Sequence, residues 1–375
     1  MKKFRNILSI ALFTVFIFVI SASFVIREPI SVLVSERRKA AQFPEFSVEK
    51  VIDKSFFDGV EDYLTDQFPL RDKFREIKAF IQLKIFNQKD NNDTFFVDGH
   101  ISEMDKKLNE SSVKNAANKM NSIYDKYLKD KNNRVFYSII PDKNYFLAEK
   151  NGYPSYDYQN MTDIMNDNIE NMEYIDIFDC LTVDDYYKTD SHWKQEEISA
   201  VVEKLGEKMG FDAIDTNAYT PDNLGEFNGV YASRLALGFE PDDIICMRNE
   251  ATDSAVVYNV ETQKEHIGVY DTEKMKKNDK YDVFFSGAVP IITAENPLNP
   301  DGKELVIFRD SFGSSLAPLL LGSYGKVTLV DTRYISSQIL GEFVDFENCI
   351  VRCFGKGGKE SHRSRMSGKC VVCGR

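Results

Sequence analysis

The chain of 375 residues is poor in the side chains that most often carry chemistry or cross-link a fold: it holds four His, one Trp and six Cys. Only Cys180 and Cys246 precede residue 349, so no disulfide framework staples the body of the chain, and spacing alone does not say whether those two bond. Basic charge is in deficit. The formal net charge is -12 at pH 7, which argues against a nucleic-acid partner bound through its phosphates. No repeat of fixed period is present. Residues 1–348 contain no metal-ligand cluster and no Gly-rich phosphate loop, so neither a metal nor a cofactor is expected. What the chain does have is 43% hydrophobic residues, enough to bury the core of one large domain with extras, or of two domains.

The one long apolar run is at the start. Lys2, Lys3 and Arg5 precede twenty residues, Ile7 to Ile26, without a charge, which matches the hydrocarbon thickness of a bilayer in helical form. Ser21-Ala22-Ser23 offers small residues to a signal peptidase, so cleavage and secretion is the alternative. The run exceeds the roughly 7–15 residues of a signal's apolar core, and an uncleaved anchor is the preferred reading. Arg27, Arg37, Arg38 and Lys39 follow the run, so positive charge does not set its orientation.

Four blocks follow from composition and periodicity: residues 1–30 as anchor or signal, 31–90 as a helical stalk or collar, 91–348 as the main domain, and 349–375 as an atypical tail. In the collar, Ser47 opens a short helix. Phe56, Phe57, Val60, Tyr63 and Leu64 recur at helical spacing, Asp66–Asp72 interrupts them, and Phe74, Ile77, Ile81, Leu83 and Ile85 resume as packing surface. In the main domain, strands are predicted at 95–97, 135–140, 281–286, 304–308 and 327–330, with a helix over 111–128. Alternation of strands with helices implies an α/β layered domain whose ligands gather at the carboxyl ends of the strands. Residues 211–280, rich in Asp, Asn, Gly and Tyr, read as an insertion or small β subdomain. The tail carries seven Lys or Arg against one acid and shows no helical or strand period. Cys353, His362, Cys370 and Cys373 are zinc-type donors. The preferred reading of so abrupt a change is nevertheless a non-native, frame-shifted or chimeric end, with a structural element missing.

Two short stretches concentrate the chemistry. Glu304-Leu305-Val306-Ile307-Phe308-Arg309-Asp310-Ser311-Phe312-Gly313 reads as a buried strand running into a helix, with Ser311 on the turn. Such a turn lifts a hydroxyl out of the sheet's carboxyl edge beside unpaired helix-start N–H groups; a simple helix cap by Asp310 or Ser311 is the competing reading. In Tyr187-Lys188-Thr189-Asp190-Ser191-His192-Trp193, His192 supplies the base that a hydroxyl nucleophile needs, and Asp190 the carboxylate that would orient it. Residues two apart on a helix point away from each other, so an Asp190–His192 pair requires an extended turn. The competing reading is an N-cap Asp beside a packed His. His100 reads as a turn residue and His266 as a polar-stretch residue without a partner. Lys143, after the 135–140 strand, lies near a carboxyl edge, either solvated or at a substrate.

Together with Ser35-Glu36-Arg37, Gln42-Phe43-Pro44, the 63–71 stretch, Phe227-Asn228-Gly229-Val230-Tyr231-Ala232-Ser233 and Asp331-Thr332-Arg333-Tyr334, these two motifs resemble the DHHW proteins. They also resemble the related AlgJ/AlgX-like alginate O-acetyltransferases. The likeness covers residues 27–348. It implies a three-layer SGNH hydrolase-like α/β domain with a mostly parallel sheet, preceded by the membrane helix and helical stalk, and permuted so that Asp and His precede Ser. It further implies Ser311 as nucleophile, His192 as base and Asp190 as its orienting acid, with Arg333 as a candidate substrate contact; Arg309, Trp193 and Lys143 are further candidates by their position beside the motifs and the strand ends. Ser191 stands where the family name has His, and Arg309 where ordinary SGNH enzymes have Gly. The activity implied is O-acetylation of a cell-surface polysaccharide, with an acetyl donor supplied by a membrane acyltransferase and the catalytic domain outside the cell membrane. The alternatives are a carbohydrate acetylesterase with the same triad, or a non-catalytic glycan-binding scaffold of export machinery.

Overall fold

The computed structural model describes residues 2–36, 38–131, 133–347 and 349–356. These described residues divide into two compact units, one lying within 2–91 and 233–238, the other within 92–232 and 239–356.

The first unit opens with helix α1, Lys2–Ile26, which is long and apolar enough to cross a membrane. Helices α2 (Val48–Ile52), α3 (Ser55–Asp66) and α4 (Arg71–Phe80) follow, the last continued by a π turn over Ile81–Ile85. Ser47 caps α2 by accepting from the Lys50 N–H, because its short side chain reaches the otherwise orphaned donor. The polar residues between these helices form one ion network. Arg38 donates both terminal nitrogens to Asp66, at 2.5 and 2.6 Å, and its Nε to Glu36 at 2.7 Å, while Arg71 reaches Glu36 at 2.6 Å. Gln67 clamps the Ile30 backbone from both sides, accepting from its N–H at 2.8 Å and donating to its carbonyl at 2.9 Å.

The second unit is built on one eight-stranded sheet. Its strands, in chain order, are β1 (Val135–Ile140), β2 (Glu173–Tyr174), β3 (Val256–Asn259), β4 (Lys264–Ile267), β5 (Ile291–Glu295), β6 (Glu304–Phe308), β7 (Lys326–Val330) and β8 (Cys349–Lys356). The spatial order is β4-β3-β5-β7-β6-β8-β1-β2. The five strands from β7 to β2 are parallel, and the three at the other edge are antiparallel. Side chains alternate between the two faces, as the period of a strand requires. Phe136, Ile140, Leu305, Ile307, Val327 and Leu329 join one core with helices α7 (Ser199–Met209) and α8 (Phe312–Leu321). Val135, Tyr137, Ile139, Val306, Phe308 and Val330 join the other, under α5 (Glu110–Tyr127) and α6 (Tyr158–Asn168). The result is a three-layer α/β domain.

Two expectations are corrected here. The apolar run at 281–286 is not a strand: Lys280–Val283 is a 3-10 turn, and the neighbouring strand is β5, paired antiparallel with β7. A short run buried on every side has no period to separate a strand from a packed loop. Second, residues 349–356 are not the start of a patternless tail. They form β8, hydrogen-bonded between β6 and β1 near the middle of the sheet. Arg352 hides the strand in the sequence, because its charge interrupts the apolar run; in the fold it is fully buried, donating to Ser138 Oγ and lying 3.5 Å from Met209 Sδ. His362, Cys370 and Cys373 lie outside the described residues, and Cys353 is a buried residue of β8. Residues 211–280 contribute an antiparallel pair, Thr220–Phe227 with Asp242–Arg248, and then the β3–β4 hairpin of the main sheet.

Asp66 is 4% exposed, and the hydrogen bonds from Arg38 hold its carboxyl below the usual carboxylate range. Arg38→Ala leaves that carboxylate buried without its bidentate counter-ion, the Ala41 N–H still donating to it, with an expected cost of roughly 2–4 kcal/mol to the first unit, read as faster hydrogen exchange and proteolysis between residues 30 and 90. Because the folded pKa is depressed, the contribution of Asp66 is fully present above the unfolded value of about 4 and is lost as pH falls below it. The same protection should therefore weaken in the wild-type chain on acidification from about pH 5 downward, and less so in the variant.

Candidate active site

The site is assembled from the carboxyl end of β6 and from a closed turn that precedes α7. After Phe308 the chain stays in the ladder for one more residue, the Arg309 N–H donating to Val330 O at 2.9 Å. Asp310 then caps the new helix, its carboxylate accepting from Phe312 N at 3.0 Å. Ser311 occupies the N-cap position with φ -65° and ψ -22° but makes no capping hydrogen bond with its side chain. Its hydroxyl lies 2.7 Å from His192 Nε2. Both competing readings of this stretch thus hold, divided between neighbours: Asp310 caps, and Ser311 faces the imidazole.

The second half comes from residues 186–193. Tyr186 and Trp193 form an antiparallel bridge, and the Tyr187 N–H donates to His192 O at 3.1 Å, so Lys188–Ser191 closes into a turn rather than a helix. In that turn Asp190 Oδ1 lies 2.6 Å from His192 Nδ1. Its other oxygen accepts from Val230 N at 2.8 Å. Asp242 holds the turn by accepting from the backbone N–H groups of Lys188 and Thr189, both at 2.8 Å. The Asp190 side chain is 1% exposed and that of His192 15%, so the carboxylate is sealed while the ring reaches the surface beside Ser311. A carboxylate in that position orients the ring and favours the tautomer with its proton on Nδ1, leaving Nε2 to accept from the hydroxyl.

Residues that sequence reasoning did not single out brace this geometry. The Tyr281 ring stacks on His192 at 3.8 Å and 10°, and its hydroxyl meets Ser315 Oγ at 2.7 Å. Gly229 lies so close under the turn that a Cβ would come within 2.3 Å of the Thr189 carbonyl carbon and 2.4 Å of Asp190 Cα. Its N–H donates to Thr189 Oγ1 at 2.8 Å. Gly229 belongs to the 227–233 motif, so its signal was in the sequence; nothing local marks Tyr281, Asp242 or Ser315.

The four candidate substrate contacts separate. Trp193, Lys143 and Arg309 are interior residues and come off the list of surface contacts. Trp193 is fully buried and donates to Ser315 Oγ at 2.9 Å. Lys143, neither solvated nor at a substrate, is 1% exposed and donates to the carbonyls of Tyr187 at 2.8 Å and Lys188 at 3.1 Å, holding the Asp190 turn from beneath. Arg309 donates to Gly287 O at 2.9 Å and sits 3.8 Å from Asp331. Burial pulls its pKa down, and Asp331 opposes that. Gly313 makes room for it, since a Cβ there would fall 2.5 Å from Arg309 Cβ. Arg333 makes a two-pronged pair with Asp331, at 2.8 and 2.6 Å, and keeps 14% of its side chain exposed. His100 is likewise buried, 3.5 Å from Asp184, with burial pushing its pKa down to about 4.

A three-layer α/β domain with this arrangement at its carboxyl edge is SGNH hydrolase-like in fold. Residues 150–330 match the family model described as DHHW protein. Among solved structures, a DHHW family protein from Eubacterium siraeum DSM 15702 is 18% identical with a TM-score of 0.57, covering 70% of this chain and 90% of its own. Bacillus cereus PatB1 is 15% identical with a TM-score of 0.55, covering 70% and 95%; the same protein carrying a sulfonyl adduct gives 0.54. At these identities the likeness is one of fold. No curated protein matches in sequence.

Gly229→Ala tests the brace. The expected outcome is a displaced Asp190 turn, at an overpacking cost of about 1–3 kcal/mol, seen as a lowered Tm and loss of the hydrogen-bonded His192 Nδ1 proton resonance in NMR spectra.

Proposed function

We propose that this chain is a membrane-anchored acyltransferase acting outside the cell membrane, moving an acetyl group through Ser311 to a hydroxyl of a cell-surface polysaccharide. The observation that carries the reading is the unbroken line of contacts Asp190–His192–Ser311, at 2.6 and 2.7 Å, with the serine and imidazole reachable from solvent. His192 takes the proton of Ser311 as Oγ attacks the donor's carbonyl carbon, and returns it to the leaving group. Asp190 holds the ring and stabilises the imidazolium. The first N–H groups of α8 already donate within the chain, Phe312 to the Asp310 carboxylate, Gly313 to Asp310 O and Ser314 to Ser311 O, so an oxyanion would have to displace one of these bonds. In the second half, an acceptor hydroxyl gives its proton to His192 and attacks the acyl carbon, releasing Ser311. If water is that acceptor, the same site is an acetylesterase.

The apolar helix α1 supports placement at a membrane, as an anchor or a cleaved signal. PatB1 was solved with a sulfonyl adduct, and a sulfonyl fluoride is a direct probe of an activated hydroxyl here. Mass spectrometry should find one adduct, on Ser311, in the wild-type chain and none in Ser311→Ala. With an activated acetyl ester, Ser311→Ala should lose all turnover above background, and Asp190→Asn should lower kcat by on the order of 10³–10⁴ because the ring takes the wrong tautomer. Acetylated oligosaccharide among the products marks a transferase, and release of acetate alone an esterase. A wild-type chain that forms neither adduct nor acetyl-Ser311 would sink the catalytic reading in favour of a glycan-binding scaffold.

A further inference from the structure

The segment Lys280–Gly287 passes directly over the site, tied down at both ends. Tyr281 stacks on His192, and Gly287 gives its carbonyl to Arg309, two residues before Ser311. Between these anchors the backbone takes three consecutive left-handed residues, Phe285 at φ 51°, Ser286 at φ 56° and Gly287 at φ 79°. Two of the three are not glycine, and such strain survives only where the surroundings over-determine it, most often at functional sites.

That fold of the backbone presents one side chain. Asp282 is half-buried, and its carboxylate accepts no hydrogen bond from any described residue. The groups around it are anchored and paired: Tyr281 through Ser315, Ser286 through Asp271, Arg309 through Gly287. The carboxylate packs against the Gly287 backbone in the space that a side chain there would need, since a Cβ would fall 2.0 Å from Oδ1. Burial pushes the Asp282 carboxyl up to about 6, the Asp279 charge adds to this, and Lys274, His192 and Arg309 oppose it. A half-buried carboxylate without a donor gains most from a ligand that donates a hydrogen bond, and the residue before it in the chain, Tyr281, stacks on His192.

We propose that Asp282 binds the acceptor, taking a hydrogen bond from the hydroxyl next to the one that is acylated, so that the site selects vicinal diols of the kind a sugar ring presents. The inference deepens the acyl-transfer reading and rests on it. In the transfer step one acceptor O–H gives its proton to His192 Nε2, its oxygen bonds to the acyl carbon, the bond from that carbon to Ser311 Oγ breaks, and Ser311 takes the proton back. Asp282 exchanges no proton; it holds the neighbouring hydroxyl and hence the ring.

The test compares two acceptors on the full chain, with an activated acetyl ester as donor: methyl glucoside, which has vicinal hydroxyls, and ethanol, which has one hydroxyl. The wild-type chain should prefer the glucoside. Asp282→Ala should reduce the glucoside-to-ethanol ratio of transfer about tenfold or more, the size of one hydrogen bond to a charged acceptor, chiefly through KM for the glucoside. Asp282→Asn, which keeps an accepting oxygen and the shape, should lie between. Equal losses toward both acceptors in Asp282→Ala, or a ratio that does not move, would overturn the proposal, as would a wild-type chain that forms acetyl-Ser311 but does not distinguish the acceptors. Absence of acetyl-Ser311 in the wild-type chain would instead overturn the acyl-transfer reading beneath it.

Discussion

The hydrogen bond between Asp190 and His192 depends on a turn that cannot stand alone. Residues two apart meet only if the backbone between them doubles back, and nothing in Lys188–Ser191 compels that. The turn is held from outside: Lys143 takes two of its carbonyls, Asp242 two of its N–H groups, and Gly229 passes beneath it where no side chain would fit. A buried lysine and a buried aspartate are costly to desolvate, and here each offsets that cost through backbone groups of the one segment whose shape the site requires. The imidazole is then fixed in plane by the Tyr281 ring.

The same economy is visible at Ser311. A strand that ends in a helix leaves orphaned N–H groups, and the ordinary remedy is to cap them with a serine or aspartate. Asp310 takes that duty, which releases the adjacent hydroxyl for His192. Arg309 puts a large charged side chain where a tight turn would otherwise want a small residue. The fold accommodates it by burying the guanidinium against Gly287 O and Asp331, and by placing glycine at 313.

The first unit follows a different logic, with electrostatics in place of a large core. Its Glu36, Arg38, Asp66 and Arg71 bind one another across the chain between α1 and α4. Bidentate geometry and the low exposure of Asp66 make this network stronger than a surface ion pair.

Much of the main domain was legible because its signals are local. The strands read at 135–140, 304–308 and 327–330 are mostly apolar runs, and the α5 and α7 helices carry apolar residues at helical spacing. The 281–286 run and β8 were misread for the same reason in opposite directions: full burial removes the period that distinguishes a strand, and one buried charge, Arg352, disguises a central strand as a polar tail. At the site, residue types made Ser311, His192 and Asp190 a candidate set, but each stretch alone also read as a helix cap or a packed His, and it was the two spaced motifs together that favoured a triad. Which lysine, arginine or tryptophan faces outward was a matter of tertiary structure. Lys143, Arg309 and Trp193 sit beside the motifs in sequence yet point into the interior, because the direction of a side chain is set by what packs around it. Only the folded chain brought Tyr281 against His192, from a loop about ninety residues away, since such contacts are decided by the path of the backbone and not by any local pattern.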